Sequence, residues 1–266
     1  MDLQKMMQKY RKDGLNRELA EARVCQDVIL YAISKSEYCS NITLKGGVVM
    51  QSLSQSNRRA TRDIDLDFIH HSINDDSIRE FINMLNYISG LKIEINGEIE
   101  KLRHQDYHGK SVKVRITDKN GISVGSKVDI GVHKHLELKQ EMHYFEVCFD
   151  EKGVSLLKNS KEQAFVEKLR ALLIFGVNDR RYKDIYDMYY LKDFIDSERL
   201  KKYIELLIID DIQMRENSLT DVVKRLQIVF EDKKFLKYIS KSRQRWLDED
   251  VETIVERIIN LVKNLY

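Results

Sequence analysis

A chain of 266 residues has room for one large domain or two modest ones, and 42% hydrophobic residues are ample for a packed core. Its 45 Lys and Arg against 43 Asp and Glu leave a formal charge of +2, which argues neither for nor against nucleic acid; only a local basic patch could speak to that. No apolar run is long enough to span a bilayer, the N-terminal segment lacks the apolar stretch of a signal peptide, and Cys25, Cys39 and Cys148, odd in number and without metal-like pairing, fit a reducing cytoplasm.

Residues 1 to about 36 read as helical, with Val24, Val28, Ile29 and Ala32 near helical spacing. A short strand at 42–44 runs into Gly46-Gly47, and a brief helix follows through Val48, Val49, Met50 and Leu53. The next strand, 63–69, alternates Ile64, Leu66 and Phe68 with Asp63, Asp65 and Asp67, which puts the apolar set inward and the acids on the other face. A covering helix is expected over 77–89, then four β segments at 91–102, 112–117, 125–132 and 144–149, with a turn at 118–121. From Asn159 onward the chain reads as helical, including 161–175, a helix starting near Arg181, and apolar stripes from Leu219 and from Val251. Proline is absent and so marks no boundary. The expected architecture is an α/β domain over 1–155 followed by a helical domain over 156–266.

The acids and glycines carry the chemistry. Phosphoryl and nucleotidyl transfer is limited by positioning and by the negative charge of a triphosphate, and Mg²⁺ bridging phosphates to carboxylates is a common solution. Aspartates two apart on a strand lie on one face about 6.6 Å apart. Asp63 and Asp65 form such a pair, and Asp129, flanked by apolar residues in KVDIGV, is the candidate third acid. Glycines before a helix let backbone N–H groups approach phosphate oxygens. A tight turn or a solvated strand face would explain either signal alone. Asp67 reads as peripheral, a solvated or helix-facing acid. HxH at His133 and His135, with His143 nearby, matches no usual zinc spacing, and His70, His71 and His108 have no arguable role.

In the later half, Lys168 falls within the apolar arc of Ala164, Phe165, Leu169, Ala171 and Leu172, whereas Glu167 points away. Asp184 and Asp187 share a face of the next helix. These charges serve either as an interhelical ion pair or as a triphosphate ligand with its orienting acids, and spacing does not choose between the two. Tyr182, Tyr186, Tyr189 and Tyr190 fit packing better than base stacking, and Arg58, Arg59 and Arg62 lie beside the acidic strand.

The ordered set of strand, Gly-Gly, short helix, DxD strand and later apolar-Asp-apolar strand resembles the DNA polymerase β-like nucleotidyltransferase superfamily. LKGG with RATRDIDLDF is more specifically similar to the signature of the AbiEii/AbiGii abortive-infection toxins, with Lys45, Gly46, Gly47, Arg59, Thr61, Asp63 and Asp65 falling on it. SKSEYCSNIT fits that family's approach to the strand, and YHGKSVKVR at 107–115 resembles its Tyr-x-Gly segment. Glu167, Lys168, Arg181, Lys183, Asp184 and Asp187 match its later motifs, so the likeness covers roughly residues 20–192. Val48 departs from the Ser or Thr that many members carry after Gly-Gly.

The resemblance implies a polymerase β-like α/β (α+β) core with a mixed sheet and a helical C-terminal domain. It implies a toxin that transfers NMP from an NTP to an acceptor hydroxyl, with the tRNA 3′ end as a candidate, under a separately encoded antitoxin. Asp63, Asp65 and Asp129 would hold Mg²⁺ or Mn²⁺. Lys45, Gly46, Gly47, Arg59, Thr61 and Lys168 would bind nucleotide, with Asp184 or Asp187 contributing to catalysis. The rival readings are a small-molecule or protein hydroxyl as acceptor, and a catalytically weak nucleotide-binding module.

Overall fold

The computed structural model describes all residues except 103–108 and 179; Tyr107 and His108 of the Tyr-x-Gly segment thus lie outside the described residues. The chain divides into two compact units, Met1–Asn159 and Ser160–Tyr266.

The first unit opens with α1 (Leu3–Lys12) and α2 (Arg17–Lys35), where the sequence pattern suggests one continuous helix. The break lies at KDGLN: Gly14 takes a positive φ of 95° after α1, and Asn16 caps α2 by accepting from the Leu19 N–H. β1 (Ile42–Lys45) leads into α3 (Gly46–Ser54), then β2 (Ile64–Phe68) and α4 (Asp75–Met84). The segment expected as one strand over 91–102 is split at Asn96-Gly97 into β3 (Leu91–Ile95) and β4 (Glu100–Lys101). β5 (Lys110–Asp118), β6 (Ser123–Val132), β7 (Glu141–Val147) and β8 (Asp150–Lys158) complete one mixed sheet.

β8 is the strand that periodicity misses. Gly153 interrupts its pattern, and it follows β7 through a tight irregular turn, yet it pairs in parallel with β1, one strand in from the β7 edge. Its last residues are continuous with the approach to the next helix, since the Asn159 N–H donates to Leu44 O at 3.0 Å. The sheet order is β3-β5-β6-β2-β1-β8-β7, with β4 on β5. Ile64, Leu66 and Phe68 are buried as the alternation requires, against a core that includes Val28, Ile29, Ile33 and Phe81 from α2 and α4. One sheet face is thereby covered, and the acids of β2 stand on the other.

The second unit is helical: α5 (Lys161–Phe175), α6 (Tyr182–Leu191), α7 (Ser197–Ile204), α8 (Leu219–Phe230), α9 (Lys233–Lys241) and α10 (Val251–Lys263). Ser160 caps α5 through the Gln163 N–H. Stripes such as Val222, Leu226 and Val229 on α8 and Ile254, Ile258 and Val262 on α10 are buried. The tyrosines of α6 are held by packing or local contacts. Tyr186 is buried and donates to Ile239 O, while Tyr182 and Tyr190 lie against Phe235 and Trp246. Lys192 Nζ stands 4.0 Å from the Tyr189 ring centroid.

Candidate active site

Strand register builds the site. β1 and β2 are antiparallel with Lys45 opposite Asp65, β2 and β6 are parallel with Asp65 beside Asp129, and β5 sets Ser111 opposite Asp129. A single transverse row, Lys45–Asp65–Asp129–Ser111, therefore crosses four strands. Asp63, one residue before β2, adjoins this row near Lys127, two residues before Asp129.

The row is electrostatically tense. Burial foremost pushes the Asp65 carboxyl above the usual carboxylate range; the charge of Lys45 pulls it back, and those of Asp129 and Asp63 push it up. Asp129 accepts from Ser111 Oγ at 2.6 Å and from Lys127 Nζ at 2.8 Å. Lys127 Nζ also lies 3.5 Å from Asp63 Oδ2. Burial weakens the Lys127 proton, but its hydrogen bond to Asp129 and the charges of Asp129 and Asp63 outweigh that and raise its pKa.

Gly46 and Gly47 are required by close approach. Gly46 has φ of 63°, and a Cβ there would collide with the Asp65 carboxylate; at Gly47 it would strike the Thr61 side chain. The Gly47 N–H points at Asp65 Oδ2 at 3.5 Å, a long contact. In the same unit α1, α2 and α4 are capped by Asp2, Asn16 and Asn74, whereas the first turn of α3 has no side-chain cap. Its N–H groups suit an anionic ligand. Val48, in place of a hydroxyl residue, is fully buried.

Asp67 is not solvated, one of the two settings its sequence context suggested. It is 5% exposed and paired with Lys45 Nζ at 2.7 Å. The pairing is diagonal across β1 and β2, and its carboxylate lies over Gly131, where a Cβ would collide with it. Lys45, matched to nucleotide binding by motif, thus bridges Asp67 and the field of Asp65. Arg59 is buried in the turn Asn57–Arg59, and exposed Arg62 pairs with Glu18 at 2.5 Å. His133 lies near Gln140 and His143 near Ser52, at 3.2 and 2.9 Å. Burial pushes His133 below its ordinary pKa.

The helical unit holds the other charged cluster. Lys168 Nζ lies 2.7 Å from Asp184 Oδ1 and 2.9 Å from Asp187 Oδ2, tying α5 to α6. Arg181 meets Asp184 at 2.6 Å, and Trp246 Nε1 donates to Asp187 Oδ1 at 3.1 Å. Sequence reasoning singled out Lys168, Arg181, Asp184 and Asp187 but missed Trp246, Ser111 and Lys127. For Lys127 the signal was present, since it stands at i−2 from Asp129 on the same strand face.

Among the described residues no three His, Cys, Asp or Glu side chains converge closely enough as they stand to hold a metal ion. The donor chemistry nevertheless suits a hard divalent cation. Asp63, Asp65 and Asp129 offer carboxylate oxygens only, they repel one another at Asp65, and an ammonium already occupies the space between two of them.

Residues 28–257 match the family model described as nucleotidyl transferase AbiEii toxin of a type IV toxin–antitoxin system. The chain belongs to the AbiEii family. AbiEii membership makes it a nucleotidyltransferase of a toxin–antitoxin class, in agreement with the mixed sheet and the helical unit. Among solved structures it resembles an antigenic nucleotidyltransferase-like protein from Paracoccidioides brasiliensis, with a TM-score of 0.52 at 14% identity. That likeness covers 83% of this chain and 92% of the other, and it speaks for the fold. No curated protein matches the AbiEii chain by sequence. Among the described residues, no helix is long and apolar enough to cross a membrane.

Proposed function

We propose that this AbiEii-family chain is a divalent-metal-dependent enzyme that transfers NMP from an NTP to an RNA hydroxyl, the tRNA 3′ end being the acceptor to test first. A cognate antitoxin protein would restrain it. The observation that carries the reading is the Asp65–Asp129 pair on adjacent strands, with Asp63 beside it and the uncapped start of α3 next to Asp65.

Asp63, Asp65 and Asp129 would hold Mg²⁺ or Mn²⁺, which neutralises charge on the phosphate oxygens and the leaving group. The N–H groups of Gly46 and Gly47 receive triphosphate oxygens. The acceptor hydroxyl oxygen forms a bond to the α-phosphorus as the bond to the β-phosphate bridging oxygen breaks, and pyrophosphate leaves. Asp129 takes the hydroxyl proton on its Oδ2, the oxygen that now faces Lys127. Thr61 and Arg59 brace the Gly-Gly turn. Lys168 is assigned to nucleotide binding by family likeness, its charge being balanced here by Asp184 and Asp187.

RNA is favoured over a small cationic acceptor by α9. Lys233, Lys234, Lys237 and Lys241, followed by Arg243, are exposed, with no acid in the helix and no ion-pair partner among the described residues. Exposed Tyr238 stands among them. The test is incubation of the purified protein with Mg²⁺, each labelled NTP in turn and total bacterial tRNA, beside Asp65→Ala. Label on tRNA with wild type alone supports the reading and names the nucleotide. Transfer to neither tRNA nor other RNA, despite Mg²⁺–NTP binding, would overturn the RNA acceptor.

A further inference from the structure

Lys127 carries no step of the proposed transfer, yet its ammonium sits against two of the acids of the site. Its ammonium lies 2.8 Å from Asp129 Oδ2 and 3.5 Å from Asp63 Oδ2. Strand geometry fixes this arrangement. Lys127 and Asp129 are two apart on β6 and so share a face, while the parallel register that sets Ile64 beside Val128 brings Asp63 next to Lys127. The lysine is not a buried structural ion: its side chain is 37% exposed, against 11% for Asp129. It can therefore swing into solvent on its four-carbon stem without leaving an unpaired charge in the core.

The rest of the row is arranged differently. Lys45 pairs with buried Asp67 and acts on Asp65, and Ser111 donates to Asp129 Oδ1. Lys127 is thus the cation that spans Asp63 and Asp129, at the place where these carboxylates would otherwise face each other.

We propose that Lys127 is a resident counter-cation of the AbiEii-family acidic site, competing with the divalent ion for Asp63 and Asp129 and keeping the metal-free sheet from repelling itself apart. Lys127 is a positioning residue: it acts through the two carboxylates, holding Asp129 Oδ2 until it is displaced, and makes no contact of its own with the substrate. Its displacement both admits the cation and frees Asp129 Oδ2 to accept a proton. The inference rests on the metal-dependent reading above.

The test compares the wild type with Lys127→Met and Lys127→Arg, without nucleotide. Mn²⁺ binding is read by electron paramagnetic resonance, and unfolding is followed in EDTA. The methionine variant should bind Mn²⁺ on the order of tenfold more tightly and melt lower in EDTA, because a neighbouring positive charge is removed from an anionic site. The arginine variant should stay near wild type on both counts. Unchanged or weaker Mn²⁺ binding in the methionine variant, with wild type binding normally, would overturn the competition alone. No Mn²⁺ binding to either protein would overturn the metal-dependent reading and this inference with it.

If the methionine variant does not fold, the wild type supplies a second readout. An amine-reactive acylating reagent, followed by mass spectrometry of the peptide carrying Lys127, should modify that residue severalfold faster in Mg²⁺ than in EDTA. An equal or slower rate in Mg²⁺ would sink the proposal.

Discussion

Lys45 Nζ and Asp67 Oδ1 lie 2.7 Å apart, joining the first residue of the Lys-Gly-Gly turn to the second acid of β2. The lysine is 16% and the aspartate 7% exposed at the side chain, so the pair is largely out of water. Removing one partner of such a pair is costlier than removing both, because the remaining charge is left desolvated.

Asp67→Ala should therefore destabilise the first unit by about 3 kcal/mol. Urea unfolding at neutral pH measures this directly. Asp67→Ala with Lys45→Met should recover part of the loss. Stability within a few tenths of wild type for the single variant would show that the pair holds nothing together.

Asp65 makes a signed prediction about pH. Its folded pKa is raised, mainly by burial, so the folded state binds this proton more tightly than the unfolded chain. The stabilising contribution of that proton is complete below the unfolded carboxylate range and is lost as pH rises through the folded value. In EDTA, Asp65→Asn should therefore be more stable than wild type at pH 7 to 8, with the gap closing as pH falls toward 4. Denaturant melts across that range check it. A gap that widens toward acid would mean that Asp65 is stabilised as the carboxylate. Transfer activity should fall by about 10³-fold or more in the same variant, the scale of losing a group that stabilises transition-state charge.

The second charge cluster predicts a cost of packing rather than chemistry. Lys168→Met takes from Asp184 and the fully buried Asp187 the ammonium they share, with Arg181 still beside Asp184 and Trp246 beside Asp187. About 3 kcal/mol should be lost, and Lys168→Met with Asp187→Asn should restore part of it. A nucleotide-binding role adds a separable effect: in the double variant, weakened Mg²⁺–NTP binding should persist after stability returns. Affinity that recovers together with stability would reduce Lys168 to the interhelical tie.

How much of this was legible depended on range. The alternation of Ile64, Leu66 and Phe68 is a two-residue period, and it fixed the buried face of β2 without knowledge of any neighbour. Lys168 was legible for the same reason, because a cation inside a helix's apolar arc must find a partner wherever it folds. The Lys45–Asp67 contact was not, since it depends on the β1–β2 register, and a slip of one residue would send Asp67 to the other face. Lys127 was hidden by ordinariness: a lysine near an aspartate on a strand usually faces water. β8 was hidden because Gly153 and a tight β7–β8 turn blur a pattern that becomes clear only once β1 lies alongside it. The break between α1 and α2 was visible in KDGLN but was overridden by the helical spacing on either side.

The cationic face of α9 gives the last prediction. Lys234, Lys237 and Lys241 recur at i, i+3 and i+7, so they project from one side of the helix while Phe235 and Ile239 are buried on the other. Reversing them together, as Lys234→Glu, Lys237→Glu and Lys241→Glu, leaves the buried face intact and should spare the fold, which circular dichroism verifies. If α9 contacts RNA phosphates, each lost contact removes close to one unit from the slope of log affinity against log salt. The triple variant should therefore bind a tRNA transcript at least tenfold more weakly near 100 mM salt, with a slope shallower by about 2 to 3. Mg²⁺–NTP affinity should stay at the wild-type value, which separates loss of acceptor binding from loss of the nucleotide site. An unchanged affinity and slope would leave α9 a solvated helix face and remove the argument it lends to an RNA acceptor.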